Sequence, residues 1–414
     1  MANTKSSPDK ASSPRAVKIL AILGAVIALL CAQANPALSA EIEKPATRLM
    51  RQSRTNSIYD RLLSEKQTPE LKALVEADAA LPEKIVLVPT ERSNEPPIRI
   101  AVHQRGPGTN VYVLVMIHGV LASHESWRYV TGYLGSDFDL WIVDLPGCGD
   151  SDKPDPKELD ADGYSPGAIA ERVLQAIEQC MTNRNNSPRL LLVAHSLGGM
   201  TALRMTGDLE LRRRHAPLLR QVDGLVLFAP GDVNVNQVSP VFMPIIKLGG
   251  LKAGIGDALG ILREAAAKST MNGFCSPRLA SKETADQLYH ALSNADERRA
   301  AQAMFTQAVP WRLRENRPEW PGILSLEANY RNVDKPCLIV WGERDEVLSE
   351  SIGYKLAAQI AGSKLVVLTN CMHSVELECP DACARLIRDF HRAVKPPHPP
   401  DALVAERNRL NNEN

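Results

Sequence analysis

One short stretch of the chain places a hydroxyl group where a nucleophile can be built. Residues 191–200 read LLVAHSLGGM, an apolar run that ends at Ser196 and is followed at once by glycines. A serine at a sharp strand-to-helix turn needs small residues two positions before and after it, because a larger Cβ would strike neighbouring backbone. Ala194 and Gly198 meet this requirement, although alanine stands where glycine is usual. The pattern predicts a nucleophile elbow at the end of a strand.

A serine hydroxyl is a weak nucleophile, and it needs a general base that is itself oriented by an acid. His373 follows the strand-like run KLVVLTNC and is predicted to be the base. The acid is expected after the preceding strand, where WGERDEVLS places Asp345 just past the end of the apolar run. Asp232, in FAPGDVN, is the alternative acid. The predicted catalytic residues are therefore Ser196, Asp345 and His373, in the order nucleophile, acid, base.

Attack of the serine on a carbonyl creates an oxyanion, which two backbone N–H groups must stabilise. Leu197, the first residue of the predicted helix, is expected to supply one of them. Val120 follows His118-Gly119 in the turn MIHGVLASHESW and is expected to supply the other. Val120 and Leu197 are thus the predicted substrate-binding residues. This chemistry requires no organic cofactor and no metal ion, and neither is predicted.

Eight strand-like segments must position these residues. Helical patterns such as AIAERVLQAIEQC separate the later segments, whereas the first three are linked without helices. Strands that alternate with helices predict a parallel sheet with right-handed crossovers. The predicted fold class is α/β, a mostly parallel eight-stranded sheet with helices on both faces. The segments are residues 84–90, 98–106, 111–119, 138–147, 189–196, 224–230, 337–345 and 364–371.

The chain divides into five predicted regions. The long connection between the sixth and seventh strands indicates that one of these regions is inserted into the core. About a hundred residues separate the sixth and seventh strands, and this is too long for a loop. The connecting segment is rich in helix formers, so it is predicted to be an inserted helical cap. The regions are a signal segment (1–40), a helical N-terminal extension (41–82), the core (83–230 and 334–394), the cap (231–333) and a polar flexible tail (395–414).

The first forty residues differ in kind from the rest. Four basic residues precede ILAILGAVIALLCA, an apolar run that is short for a membrane span, and small residues follow it. This is typical of a cleaved secretory signal, with an uncleaved signal anchor as the alternative. The chain is therefore expected to be exported, either periplasmic or secreted, with membrane contact only through this segment if it is not cleaved.

Charge and cysteine content limit the partners further. The chain of 414 residues carries 48 basic and 48 acidic side chains, so no basic surplus favours a nucleic-acid partner. An exported chain can form disulfides, and Cys371, Cys379 and Cys383 lie close together in sequence. A bridge within this group and buried free thiols are both open. The spacing of the cysteines matches no zinc-binding motif, so no cysteine-ligated zinc site is predicted.

Five landmarks in the same order make the sequence similar to the α/β-hydrolase superfamily. They are His118-Gly119, DLPGCGDSDKP, AHSLGG, GERD, and His373 followed by Glu378 and Pro380. Within the superfamily the chain resembles the cap-bearing group of esterases, carbon–carbon bond hydrolases, epoxide hydrolases and haloalkane dehalogenases, from about residue 84 to 394. The last two enzyme classes use an aspartate at the elbow, so the serine argues against both. The resemblance implies that DLPGCGDSDKP is a structural turn and that its Cys148 is incidental.

The expected activity is hydrolysis of a carboxylic ester, with a small hydrophobic or lipid-like ester as the substrate. The apolar, glycine-dotted start of the cap at residues 238–262 can line a pocket, move as a lid or simply pack on the core. Carbon–carbon bond hydrolysis of a diketone with the same triad is the alternative activity. A catalytically silent binding protein on this fold is the non-enzymatic alternative. The sequence predicts no oligomeric state.

Overall fold

The computed structural model of the chain describes residues 57–92, 94–184, 187–233, 243–276, 279–312 and 317–394. The predicted signal segment, the start of the predicted N-terminal extension and the predicted tail lie outside the described residues. No helix in these described ranges is both long enough and apolar enough to cross a bilayer.

The described residues contain an eight-stranded sheet with the order β1-β2-β4-β3-β5-β6-β9-β10. β2 runs antiparallel to both β1 and β4, and the other neighbours pair in parallel. The prediction of a mostly parallel α/β sheet is confirmed. The strands are β1 (Glu83–Thr90), β2 (Ile98–Arg105), β3 (Tyr112–Ile117), β4 (Asp139–Val143), β5 (Arg189–His195), β6 (Val222–Phe228), β7 (Trp311–Arg312), β8 (Arg317–Pro318), β9 (Cys337–Gly342) and β10 (Lys364–Leu368), of which β7 and β8 form a separate hairpin.

Helices account for most of the remaining described residues. The α-helices are α1 (Ile58–Arg61), α2 (Pro69–Ala79), α3 (Arg128–Leu134), α4 (Pro166–Thr182), α5 (Leu197–Gly207), α6 (Leu209–Arg214), α7 (Ala216–Leu219), α8 (Met243–Ile246), α9 (Gly250–Ala258), α10 (Ile261–Asn272), α11 (Lys282–Ser293), α12 (Ala295–Gln307), α13 (Trp320–Ala328), α14 (Ser351–Gln359), α15 (Val375–Glu378) and α16 (Pro380–Val394). Short 3₁₀ helices span Glu65–Gln67, His124–Trp127, Pro156–Glu158 and Asn329–Asn332.

The sheet is buried on both faces, which explains why its central strands are continuous apolar runs rather than alternating ones. All six residues of β3 are buried. Val113 and Val115 face the apolar layer formed with α4, α5 and α14, whereas Leu114 and Met116 face the layer formed with α3 and α16. Parallel strands of this kind bring their carboxyl ends to one edge of the sheet, where ligands bind.

Two further segments pack on this core: the helical segment between β6 and β9, which we name the cap, and residues 57–82, which we name the extension. Helices α8 to α13 lie between β6 and β9, and the hairpin of β7 and β8 adds strand to a segment that was predicted to be helical. In the extension, α2 packs against α3. Leu63 pairs in a parallel bridge with Ser281, which lies in the cap. The extension therefore contacts the core and the cap together.

Candidate active site

Ser196 lies at the sharp turn between β5 and α5. Its φ of 51° and ψ of −116° are values that a residue with a side chain rarely adopts. Neighbouring backbone holds this conformation, because the Ser196 N–H donates to the oxygen of Phe228 at 3.0 Å and the Gly231 N–H donates to the oxygen of Ser196 at 2.8 Å. The elbow that the sequence predicts is present, and the end of β6 supports it.

Close packing explains the small residues around the serine. A Cβ added at Gly198 would lie 2.4 Å from the backbone oxygen of Ile117, and one at Gly199 would lie 2.6 Å from the Cβ of Pro230. Both distances are far below van der Waals contact. Any larger residue at Gly198 would therefore push α5 away from the end of β3.

The three predicted catalytic residues come together at the carboxyl edge of the sheet. Nε2 of His373 lies 3.1 Å from Oγ of Ser196, and its Nδ1 lies 2.8 Å from Oδ2 of Asp345. The Asp345 side chain is fully buried, and that of His373 is 14% exposed. Oδ1 of Asp345 accepts two further hydrogen bonds, from the N–H groups of Val347 and Leu348, both at 2.8 Å. The carboxylate is thereby held against the imidazole.

The alternative acid is engaged elsewhere. Asp232 is buried, and its Oδ1 accepts a hydrogen bond from the Tyr330 hydroxyl at 2.8 Å. That hydroxyl in turn accepts from the Val233 N–H at 3.2 Å. Asp232 therefore braces the start of the cap, while Asp345 contacts the histidine.

Both segments that carry the predicted oxyanion donors contact the turn at Ser196. Leu197 is the first residue of α5, and the N–H groups of a first helical turn have no acceptor within the helix. Val120 follows Gly119, where an added Cβ would lie 3.0 Å from the Cβ of Ser196. The turn after β3 thus passes directly against the elbow, which brings Val120 to the same edge.

Comparison with known proteins decides the family. Residues 114–386 match the alpha/beta hydrolase family. The chain belongs to this family. Human monoacylglycerol lipase ABHD6 is 26% identical over 283 residues, which cover 68% of this chain and 75% of that protein. The 2-hydroxymuconate semialdehyde hydrolase of Pseudomonas sp. (strain CF600) is 27% identical over 300 residues, 71% of this chain and 90% of that protein.

Solved structures share the fold of this alpha/beta hydrolase. A putative lipase from Acinetobacter baumannii AYE aligns with a TM-score of 0.57 and 21% identity, over 79% of this chain and 96% of that one. This likeness is one of fold. The family match and the relatives make the protein a serine hydrolase of the α/β-hydrolase fold.

In this hydrolase, the loops that carry the acid and the base are pressed together. A Cβ at Gly342 would lie 2.0 Å from the backbone oxygen of Met372, so only glycine fits there. The Arg344 N–H donates to the oxygen of Cys371 at 2.9 Å. A disulfide joins Cys371 to Cys379 and closes the loop that contains His373. The bridge expected within the group of Cys371, Cys379 and Cys383 is therefore present. In the described part of the chain the free thiols are Cys148, Cys180, Cys275, Cys337 and Cys383.

Glu378 ties the base loop of the hydrolase to the cap. Its Oε1 accepts from the Met372 N–H and its Oε2 accepts from the Cys275 N–H, both at 2.7 Å. Burial raises the pKa of this carboxyl, although the two N–H donors lower it. The sequence marks Glu378 as a family landmark but assigns it no role; the structure shows that it connects the histidine loop to Cys275 in the cap.

His195, which adjoins Ser196, contacts the loop that carries the catalytic histidine. Its Nε2 lies 3.1 Å from the backbone oxygen of His373, and the two imidazole rings are 4.9 Å apart. A carbonyl can only accept, so Nε2 carries the proton and Nδ1 faces Oε1 of Glu376 at 3.2 Å. Burial lowers the pKa of His195 and raises the pKa of Glu376 to about 8. A neutral His195 therefore supports the catalytic loop from behind.

Outside the triad, two groups of side chains in the described ranges offer metal-ligating atoms that lie within 4.8 Å of one another. One consists of His103, His124, Asp144 and Asp150, and the other of Glu95, Asp160 and Asp162.

Proposed function

We propose that this hydrolase cleaves a carboxylic ester by acyl transfer, and that the ester is hydrophobic or lipid-like. The observation that carries the proposal is the continuous contact from Ser196 through His373 to Asp345 at the carboxyl edge of the sheet. That arrangement of hydroxyl, imidazole and carboxylate performs nucleophilic catalysis on acyl groups.

In the proposed mechanism, Ser196 Oγ attacks the ester carbonyl while Nε2 of His373 takes the hydroxyl proton. Asp345 holds the imidazole in the correct tautomer and stabilises its charged form. The N–H groups of Val120 and Leu197 receive the oxyanion. His373 then returns the proton to the departing alcohol, leaving an acyl-serine. Water, deprotonated by the same histidine, releases the acid and restores the serine.

Two observations support a hydrophobic ester. The relatives include proteins named monoacylglycerol lipase, in human and in Xenopus laevis. On the cap, Leu251 in α9 is 75% exposed and Ile261 in α10 is 49% exposed. Exposed apolar side chains on a cap helix can contact an acyl chain or a lipid surface as it reaches the site.

The test is hydrolysis of para-nitrophenyl esters from acetyl to palmitoyl, with fluorophosphonate labelling beside it. Turnover and labelling that disappear in Ser196→Ala would support the assignment of the nucleophile. A maximum at medium or long acyl chains would support the lipid-like substrate. Labelling of Ser196 without turnover of any ester would overturn the ester proposal while leaving the triad in place.

Carbon–carbon bond hydrolysis is the second candidate. One relative at 27% identity is a 2-hydroxymuconate semialdehyde hydrolase, and 71% of this chain aligns with it. The substrate of that relative, 2-hydroxymuconate semialdehyde, should therefore be assayed in parallel with the esters, by the loss of the substrate's absorbance. A higher kcat/KM for this compound than for every ester would make this the main activity.

We also propose that the hydrolase is exported, with residues 1–40 as a signal peptide or signal anchor. The Cys371–Cys379 disulfide supports this, because such bonds persist in oxidising compartments. Cell fractionation with mass spectrometry of the intact protein tests it. A mature protein that begins near residue 35 or 41 would indicate cleavage, and a full-length membrane fraction would indicate an anchor. A full-length chain in the reducing cytosol would refute export.

A further inference from the structure

Three segments that are distant in sequence bring imidazole and carboxylate groups to one point beside the active-site loops. His103 lies on β2, His124 lies in the turn after β3, and Asp144 and Asp150 follow β4. Nδ1 of His124 and Nε2 of His103 lie 2.9 and 3.2 Å from the same atom, Oδ2 of Asp144. Oδ2 of Asp150 lies 3.5 Å from the same nitrogen of His103.

These separations match those of ligands around one metal ion. Two ligand atoms at about 2.0–2.1 Å from a tetrahedral zinc ion are about 3.3 Å apart. The three distances given above bracket that value, and the other pairs of ligand atoms lie within 4.8 Å of one another. The two imidazole rings are stacked, with centroids 3.6 Å apart, and each presents a ring nitrogen to Oδ2 of Asp144.

The far nitrogen of each histidine also faces a carboxylate. Nδ1 of His103 lies 3.1 Å from Oε1 of Glu83, and Nε2 of His124 lies 3.4 Å from Oε1 of Glu125. In metal sites, a ligating histidine almost always donates its second ring N–H to a carboxylate, a backbone carbonyl or a water, which orients the ring. The cluster has this arrangement twice.

The carboxylate that both histidines share is itself held in place. The His124 N–H donates to Oδ1 of Asp144 at 2.6 Å, and the Asp150 N–H donates to Oδ2 at 2.8 Å. Asp144 and His103 are buried, whereas the side chain of Asp150 is 54% exposed. Most of the cluster is therefore buried, and solvent reaches it on the side of Asp150.

A cavity of about 700 Å³ lies at that open side, between the cap helices α10 to α12 and the turns after β3 and β4. Asp150 and Glu125 line it, so an ion entering the cavity reaches the cluster directly. Carboxylates outnumber cationic groups in its wall, and this raises the local concentration of cations. The acidic lining residues are Glu125, Asp150, Glu283, Asp286 and Glu297, against the single guanidinium of Arg263.

We propose that His103, His124, Asp144 and Asp150 form a binding site for a divalent transition-metal ion, with zinc as the expected occupant. Two imidazoles and two carboxylates are ligands that suit four-coordinate zinc. The site extends the sequence-based expectation, which included no metal. It does not depend on the proposed esterase activity.

Such an ion would tie β2 to the turns that follow β3 and β4. His124 is four residues from Val120, the proposed oxyanion donor, so the ion would restrain the turn that carries this N–H. Zinc binding is therefore expected to raise the melting temperature, and to change kcat more than KM.

The test is direct metal binding to the full chain after treatment with a chelator. Calorimetric titration with zinc should give one site per chain, and cobalt should give the visible absorption of a four-coordinate nitrogen and oxygen site. His124→Asn and Asp150→Asn should each weaken zinc binding by at least about 100-fold, and Glu125→Gln by about 10- to 100-fold. Asp150 is exposed, so that variant tests the site without disturbing the core.

Two control variants separate this cluster from other histidines. His215 pairs with Glu178 at 2.9 Å, away from the cluster, and His215→Asn should bind zinc as the wild type does. His373→Asn should also retain the site, which would exclude the triad as the source of the signal. Absence of saturable binding, or equal binding by His124→Asn and the wild type, would overturn the proposal and leave a metal-free network of ion pairs.

Discussion

At the scale of single residues, two buried carboxyl groups support the catalytic histidine in different ways. Asp345 accepts from two backbone N–H groups and faces Nδ1 of His373, so it sets the tautomer of the ring. Glu376 faces His195, which donates to the backbone of His373. The first group acts on the imidazole, and the second acts on the loop that carries it.

Replacing Asp345 with asparagine should lower kcat by about 10⁴-fold, because the amide favours the tautomer that cannot accept the serine proton. Circular dichroism should show an unchanged fold. Steady-state hydrolysis of a para-nitrophenyl ester measures the effect. Asp232→Asn is the matched control, and it should change stability through Tyr330 while leaving kcat nearly unchanged. A larger loss of kcat in Asp232→Asn than in Asp345→Asn would make Asp232 the acid.

The pKa of Glu376 makes a prediction about stability and pH. Burial raises this pKa from 4.5 to about 8, so the folded chain holds a proton in this interval that the unfolded chain has lost. The free energy of unfolding should therefore fall as the pH rises from 4.5 to 8, by up to about 1.4 kcal/mol per pH unit from this group.

Glu376→Gln keeps a neutral hydrogen-bonding side chain and should remove this decrease. Urea denaturation at pH 5.5 and pH 8 measures it. The stability of Glu376→Gln relative to the wild type should be greater at the higher pH. Glu343→Gln, at an exposed position, should keep the wild-type dependence. Parallel pH profiles for Glu376→Gln and the wild type would mean that Glu376 is ionised in the folded chain.

At the scale of elements, the site depends on two loops, after β9 and β10, that approach each other at backbone distance. Parallel pairing of β9 with β10 brings the loops side by side, and the contact between Arg344 and Cys371 continues the pairing beyond the strands. Gly342 makes the approach sterically allowed. The disulfide and Glu378 then hold the histidine loop from its other side.

Gly342→Ala should push the base loop away from the acid, because the new methyl group would overlap the Met372 oxygen. Overpacking of this kind costs about 1–3 kcal/mol, and the displaced His373 should also lower kcat. Gly254→Ala is the matched control in α9, where nothing lies within 4 Å of an added Cβ. That change should stabilise the helix by up to about 1 kcal/mol. Thermal unfolding and ester hydrolysis measure both variants. If Gly342→Ala were as stable as the wild type, the two loops would be able to move apart without cost.

At the scale of the whole molecule, a buried charge holds the extension, the core and the cap together. Glu65, in the extension, accepts from Arg128 of α3 at 2.6 and 2.8 Å, from the Tyr129 hydroxyl, and from Ser281 of the cap at 3.2 Å. The Arg128 and Glu65 side chains are only 4% and 7% exposed. The extension is therefore part of the folded unit.

Glu65→Gln should lower the free energy of unfolding by about 3–5 kcal/mol, because it leaves the Arg128 charge buried without its partner. Chemical denaturation measures this loss, and kcat per folded molecule should change little. Glu70→Gln, at an exposed position of α2, should leave stability nearly unchanged. If Glu65→Gln were as stable as the wild type, the ion pair would contribute no net stability.

The sequence by itself determined the eight strands of the main sheet, the elbow serine and the order of the triad, but not the hairpin of β7 and β8. Each of these depends on neighbours within a few residues: continuous apolar runs mark doubly buried strands, and small residues around Ser196 permit its backbone conformation. The positions of His373 and Asp345 follow as well, because residues just past parallel strands meet at one sheet edge.

The tertiary structure alone decided the contacts between segments that are far apart in sequence. It selected Asp345 over Asp232, because a hydroxyl from the residues before β9 engages Asp232. It turned His195 toward the base loop, and it gathered histidines from β2 and the turn after β3 around Asp144, which follows β4. No local pattern marks these meetings, since they depend on the order β1-β2-β4-β3-β5 in which the sheet places its strands.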